Sequence, residues 1–119
     1  MINKPNCDNI FAMKQENNQF EILLAQAEKG DSDAMIEVAR CYEGGINGAE
    51  KDVKLTLWWM LQAGNAGNAQ AQYELALWYS DGFHCEVDFQ KSVYWCKRAA
   101  VQGIEEAVDY IEVLQSFDV

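Results

Sequence analysis

The sequence predicts an all-α fold, a short right-handed α-solenoid of antiparallel helix pairs with about six helices. Three observations carry this. One stretch of the chain recurs later at a nearly constant offset. Within each copy the apolar residues fall at helical spacing. Glycines and short acidic residues stand where helices should stop and start. The single proline is Pro5, so the rest of the chain lacks the strongest helix breaker.

Ahead of the repeats, a flexible lead over roughly 1–10 and an N-terminal capping helix at about 11–29 are expected. The first full unit begins Ala34-Met-Ile-Glu-Val-Ala-Arg-Cys-Tyr42-Glu-Gly-Gly45, and the second begins Ala71-Gln-Tyr-Glu-Leu-Ala-Leu-Trp-Tyr79-Ser-Asp-Gly82. Ala34 aligns with Ala71, Val38 with Leu75, Ala39 with Ala76, Tyr42 with Tyr79 and Gly45 with Gly82, always 37 positions apart. These residues make the apolar stripe of a first, or A, helix, expected at about 32–43 and 69–80. Gly45 and Gly82 end it.

Further along, Asp52 aligns with Asp88, Leu57 with Val93, Trp59 with Trp95, Ala63 with Ala99 and Gly67 with Gly103, now 36 positions apart. The lost position falls in the Gly- and Asn-rich stretch before Asp52, where a change in loop length costs little. Asp52 and Asp88 are natural caps for a second, or B, helix, expected at about 53–65 and 89–102. Gly67 and Gly103 suit a left-handed turn after it, and Asp31 and Asn68 can cap the A helix that follows. Small residues let the helices approach closely, and Trp59 and Trp95 fill the space between pairs. A last A-like helix is expected at about 105–116. The layout is one domain: an N-terminal cap over roughly 11–30, repeats over 31–67 and 68–103, and a C-terminal cap over 104–119.

At these positions the sequence resembles the Sel-one-like repeat family, relatives of the tetratricopeptide repeats. The second unit carries the pattern in Ala71, Leu75-Ala76, Tyr79, Gly82, Asp88, Lys91-Ser92, Trp95, Arg98-Ala99-Ala100, Gly103 and Ala107. The first departs from it, with Leu55 at the Lys91 position, Gln62 at Arg98 and Gly64 at Ala100. The resemblance implies a solenoid whose A helices line the concave side, and an interaction scaffold with no conserved chemistry.

Composition excludes several functions. Nine Lys and Arg against nineteen Asp and Glu give a net charge of −10. That opposes binding to nucleic acid, which needs cations on phosphates, and to anionic membrane surfaces. No stretch approaches the ~20 apolar residues of a membrane span. The polar, Asn-rich start lacks a signal-peptide core, so a cytoplasmic location is expected. Cys7, Cys41, Cys85 and Cys96 form no CxxC pair and read as reduced thiols.

No motif points to catalysis, a metal or a cofactor, and none is expected. The one histidine, His84, adjoins Cys85, but neighbouring residues seldom converge on one reacting atom and no orienting group is evident. His84 reads as a solvated loop residue. Gly44-Gly45-Ile46-Asn47-Gly48 lacks the Lys-Ser/Thr of a phosphate loop and reads as a turn. Asp31-Ser32-Asp33 opens like a calcium loop, but Ile36 stands where glycine is required and Tyr42 where a glutamate is. Glu105, Glu106, Asp109, Glu112 and Asp118 read as a solvated acidic face.

The face of the A helices opposite the core stripe is the candidate recognition surface. It carries Ile36, Glu37 and Arg40, then Tyr73, Glu74 and Leu77 with Trp78 on the flank, then Asp109, Tyr110 and Val113. Apolar and aromatic residues among carboxylates fit either an interface or, in so short a curved chain, packing on its own ends. No Lys or Arg falls between Lys54 and Lys91 or after Arg98, so the C-terminal half presents a negative field that steers basic partners. The expected function is binding and neutralising a basic protein. Its most concrete form is an immunity protein that inhibits a bacterial toxin such as a cationic nuclease. Tyr73, Leu77, Trp78 and Tyr110 would anchor it, and Glu74, Glu105, Glu106, Asp109 and Glu112 would meet basic groups. The alternative is a scaffold holding a peptide or helix in its groove.

Overall fold

A computed structural model describes residues 19–116. The helix α1 occupies residues 19–28 of that span and is followed by α2 (Ser32–Gly44), α3 (Val53–Asn65), α4 (Ala69–Asp81), α5 (Phe89–Val101) and α6 (Glu105–Ser116). No strand occurs among the described residues. The helices α2 and α4 run one residue beyond the expected spans and α5 ends one residue earlier. The expected lead over 1–10, the first turns of the capping helix, Cys7 and Asp118 lie outside the described residues.

Local chemistry sets the helix ends. The Asp31 carboxylate accepts from the backbone N–H groups of Asp33 and Ala34, Asp52 from Leu55, and Asp88 from Lys91; the Asn68 side-chain oxygen accepts from Ala71. Each satisfies N–H groups that have no partner inside the helix. At the other end of α4, Gly82 takes φ 74° and returns its N–H to the Trp78 carbonyl. A side chain there would be strained and would meet Val87 Cγ2 at 2.9 Å.

Each helix from α2 onward packs against the next in sequence, so α3 and α5 each touch the helix before and the helix after. The core runs through the stack: Ala27, Val38, Met60, Ala63, Leu75, Cys96, Ala99, Ala107 and Leu114 are buried. Trp59 and Trp95 are buried in equivalent places. Two buried hydroxyls recur at the same register. Thr56 Oγ1 donates to the Asp52 carbonyl, and Ser92 Oγ donates across to the Ala76 carbonyl of α4. Neighbouring A helices are tied at their starts, where Asn68 Nδ2 donates to Asp33 Oδ1 at 2.8 Å and to Ser32 Oγ at 3.1 Å.

Candidate functional site

The A helices α2, α4 and α6 are joined side to side by their side chains. Arg40 of α2 makes an ion pair with Glu74 of α4 at 2.9 Å. Ser80 of α4 and Tyr110 of α6 share a hydrogen bond of 2.6 Å between their hydroxyls. Tyr73 is half-buried between them. Burial chiefly, then the nearby Glu106 charge and smaller contributions from Cys96 and Tyr110, raise its phenol above the usual tyrosine value. Leu77 is half-buried one turn along α4, and its carbonyl accepts from Ser80 Oγ. The acidic residues Glu37, Glu105, Glu106, Asp109 and Glu112 are exposed. So is Val113, at 48%.

Two residues of the expected recognition face, Ile36 and the anchor Trp78, are not on the surface. Ile36 is only 7% exposed and Trp78 only 8%, and both belong to the core. A helix inside a stack has neighbours on more than one side, so a single apolar stripe underestimates its buried face. Ile36 forms part of the floor of an open groove of about 440 Å³ whose wall includes Leu23 of α1, Glu37 and Arg40 of α2, and Gln70 of α4. Trp78 is covered by the loop between α4 and α5, whose Phe83 and His84 rings meet it edge-on at 5.9 and 5.0 Å.

That loop also corrects the expectation for His84. Its side chain is 12% exposed rather than solvated, and Nε2 sits 2.7 Å from Glu43 Oε2 at the end of α2. Its ring lies 3.9 Å from that of Phe83, and its backbone adopts φ 64°. The interaction staples the second inter-helix loop to the first unit. No sequence pattern announces it, since Glu43 is 41 positions away. Cys85, beside it, donates its thiol to the Trp78 and Phe83 carbonyls, and burial chiefly raises its pKa, with Lys91 opposing. A nucleophilic thiol needs the reverse shift. Cys41 and Cys96 are buried thiols. Among the described residues no cluster of His, Cys, Asp and Glu could hold a metal ion, and no helix is long and apolar enough to cross a membrane.

The layers differ in charge more sharply than the linear sequence shows. The three A helices hold nine carboxylates (Asp33, Glu37, Glu43, Glu74, Asp81, Glu105, Glu106, Asp109 and Glu112) against Arg40 alone, which Glu74 neutralises. The B helices α3 and α5 hold Lys54, Lys91, Lys97 and Arg98 and no acid, while α1, in the register of a B helix, carries Glu21 and Glu28. Assigning each charge to its layer would have exposed this from the sequence.

The Sel1 repeat model matches residues 32–68 and 69–104, more than half of the chain. The chain belongs to the Sel1 repeat family. Two solved structures share the fold. A Sel1 repeat protein from Oxalobacter formigenes is 30% identical with a TM-score of 0.73, over 78% of this chain and 69% of that one. A protective antigen of uropathogenic Escherichia coli strains is also 30% identical with a TM-score of 0.73, over 80% of this chain and 20% of that one. The chitin synthase regulator SKT5 of Saccharomyces cerevisiae is 34% identical over 84 residues, 70% of this chain. The chain spans only 12% of that relative's length. Sel1 repeats mediate protein–protein interaction, and no enzymatic family is indicated.

Proposed function

We propose that the A-helix layer of this Sel1 repeat protein binds a basic protein partner. The observation that carries the reading is the nine-to-one excess of carboxylates over cations in α2, α4 and α6. A field of one sign raises the association rate of an oppositely charged protein and disfavours like-charged ones. Tyr73 and Leu77 supply half-buried apolar area within that field, and the groove at Glu37 and Arg40 supplies relief. The regulator among the relatives, a Sel1 protein named for acting on another protein, supports an interaction role. In its most concrete form the partner is a cationic toxin domain and this chain its cytoplasmic immunity protein.

Affinity capture from the native lysate, at low and high salt and with the partner identified, tests this. A basic protein held at low salt, released at high salt and lost with the pair Tyr73→Ala and Glu74→Ala is the expected result. Capture indifferent to both salt and the double variant overturns the reading.

A further inference from the structure

The two repeats share an edge-on aromatic pair at the junction where a B helix meets the pair before it, and differ in the polar residues around it. In the second unit Tyr94 and Trp95 stand edge-on at 5.0 Å, and the Arg98 guanidinium lies 5.6 Å from the Tyr94 ring centre and 5.1 Å from that of Trp95. Its Nη1 also donates to the Tyr94 hydroxyl at 3.1 Å. Those separations are within the reach of cation–π attraction. Gln102 bridges the same junction, donating to the Gly67 carbonyl at 2.8 Å and to Gln72 Oε1 at 3.0 Å.

The first unit repeats the aromatic geometry without those polar residues. Trp58 and Trp59 stand edge-on at 4.8 Å, with Trp58 49% exposed. At the Arg98 register stands Gln62, at Gln102 Ala66, and at Gln72 Met35. An open notch of about 400 Å³ lies between α1 and α3, lined by Ala27, Glu28, Met35, Trp58, Trp59 and Gln62, whereas the cavity of about 310 Å³ at the second junction is lined by Gln72, Arg98 and Gln102 and has no aromatic residue in its wall. Glu28 brings a carboxylate to the register that Asn65 holds in the second unit. The notch has therefore lost its own guanidinium and gained an acid.

We propose that this notch accepts an arginine side chain from a protein partner, stacked on Trp58 and Trp59 and paired with Glu28. Arg98 on Tyr94 and Trp95 is the chain's own template for the bound state. The site takes only Met35 from the A-helix layer, on the side of α2 away from Asp33 and Glu37, and does not depend on what that layer binds.

The test titrates the full ¹⁵N-labelled chain with the blocked peptide acetyl-Gly-Arg-Gly-amide and follows the indole N–H signals. The Trp58 and Trp59 signals are expected to move and saturate in the millimolar range, while Trp78 stays. The same peptide with norleucine in place of arginine is expected to leave them still. Glu28→Gln should weaken the peptide roughly fivefold. Gln62→Arg, which supplies the missing internal cation at a partly buried position in the notch wall, should abolish the response. Arg98→Gln should open a second site read by Trp95. An equal response to norleucine, no movement of Trp58 and Trp59, or a response that survives Gln62→Arg overturns the proposal. Because these readouts use a defined peptide, they stand or fall separately from the lysate capture.

Discussion

Gly64 offers a test of the packing in which two general rules disagree. It sits in the last turn of α3, and alanine there would gain about 1 kcal/mol of helix propensity. The added Cβ, however, would lie 2.8 Å from Leu75 Cδ1, 2.9 Å from Trp95 Cζ3 and 3.2 Å from Trp95 Cη2. Leu75 is fully buried and the Trp95 ring is rigid, so neither retreats freely. Overpacking of this kind costs about 1–3 kcal/mol. Gly64→Ala should therefore destabilise the protein by about 1 kcal/mol, lowering Tm by about 4 °C for a domain of this size. The first unit shows the compensation. At the same register it has Ala27 opposite Gly64 and Val38 opposite Leu75, one methyl moved from one side of the contact to the other. Leu75→Val alone should cost about 1 kcal/mol. Combined with Gly64→Ala it should cost less than the sum, with a coupling of about 1 kcal/mol in a urea-unfolding cycle. A Gly64→Ala protein as stable as the parent, or strict additivity in the cycle, would refute the reasoning.

Two further outcomes follow from buried groups. Burial pushes the Cys96 thiol up to about 11, so the folded chain keeps its proton where an unfolded thiol has lost its own. The unfolded state then binds fewer protons, and stability should be full below about pH 9 and fall as pH rises towards 11, by roughly 2 kcal/mol. Urea midpoints between pH 8 and 11 measure this, and a Cys96→Ala chain should show a shallower decline. At His84, both His84→Ala and His84→Gly lose the Glu43 bond and the ring contacts, but only alanine retains the side-chain strain of φ 64°. The glycine variant should be the more stable of the two by about 1 kcal/mol, and equal melting temperatures would argue against strain at that position.

What was legible in the sequence is what is encoded within a few residues. Asp31, Asp52, Asn68 and Asp88 cap their helices through bonds spanning two or three positions, so spacing alone places them. The tryptophans Trp59 and Trp95 recur in register and are buried in register. What was not legible depends on covers brought from afar. Ile36 is buried because its helix has neighbours on more than one side. Trp78 is buried because a loop folds back on it. His84 is withdrawn from solvent by Glu43 of the preceding unit. A helical wheel drawn for one segment contains none of these partners. The carboxylates of the candidate surface are exposed, whereas Ile36 and Trp78 are buried.

The same dependence makes the two units a control for one another. Trp59 and Trp95 are 8% and 5% exposed, so both junctions close their cores about equally well. Yet one junction carries Arg98, Gln102 and Gln72 and the other Gln62, Ala66 and Met35. Core packing does not distinguish those sets, since the tryptophan beneath them is covered either way. The polar residues of the second junction are consequently additional to the fold, and the outer aromatic is half-exposed in both units, Trp58 at 49% and Tyr94 at 53%, with an acid beside it only in the first. The place where two repeats diverge without disturbing their shared packing is where a partner site can arise at no cost to the fold.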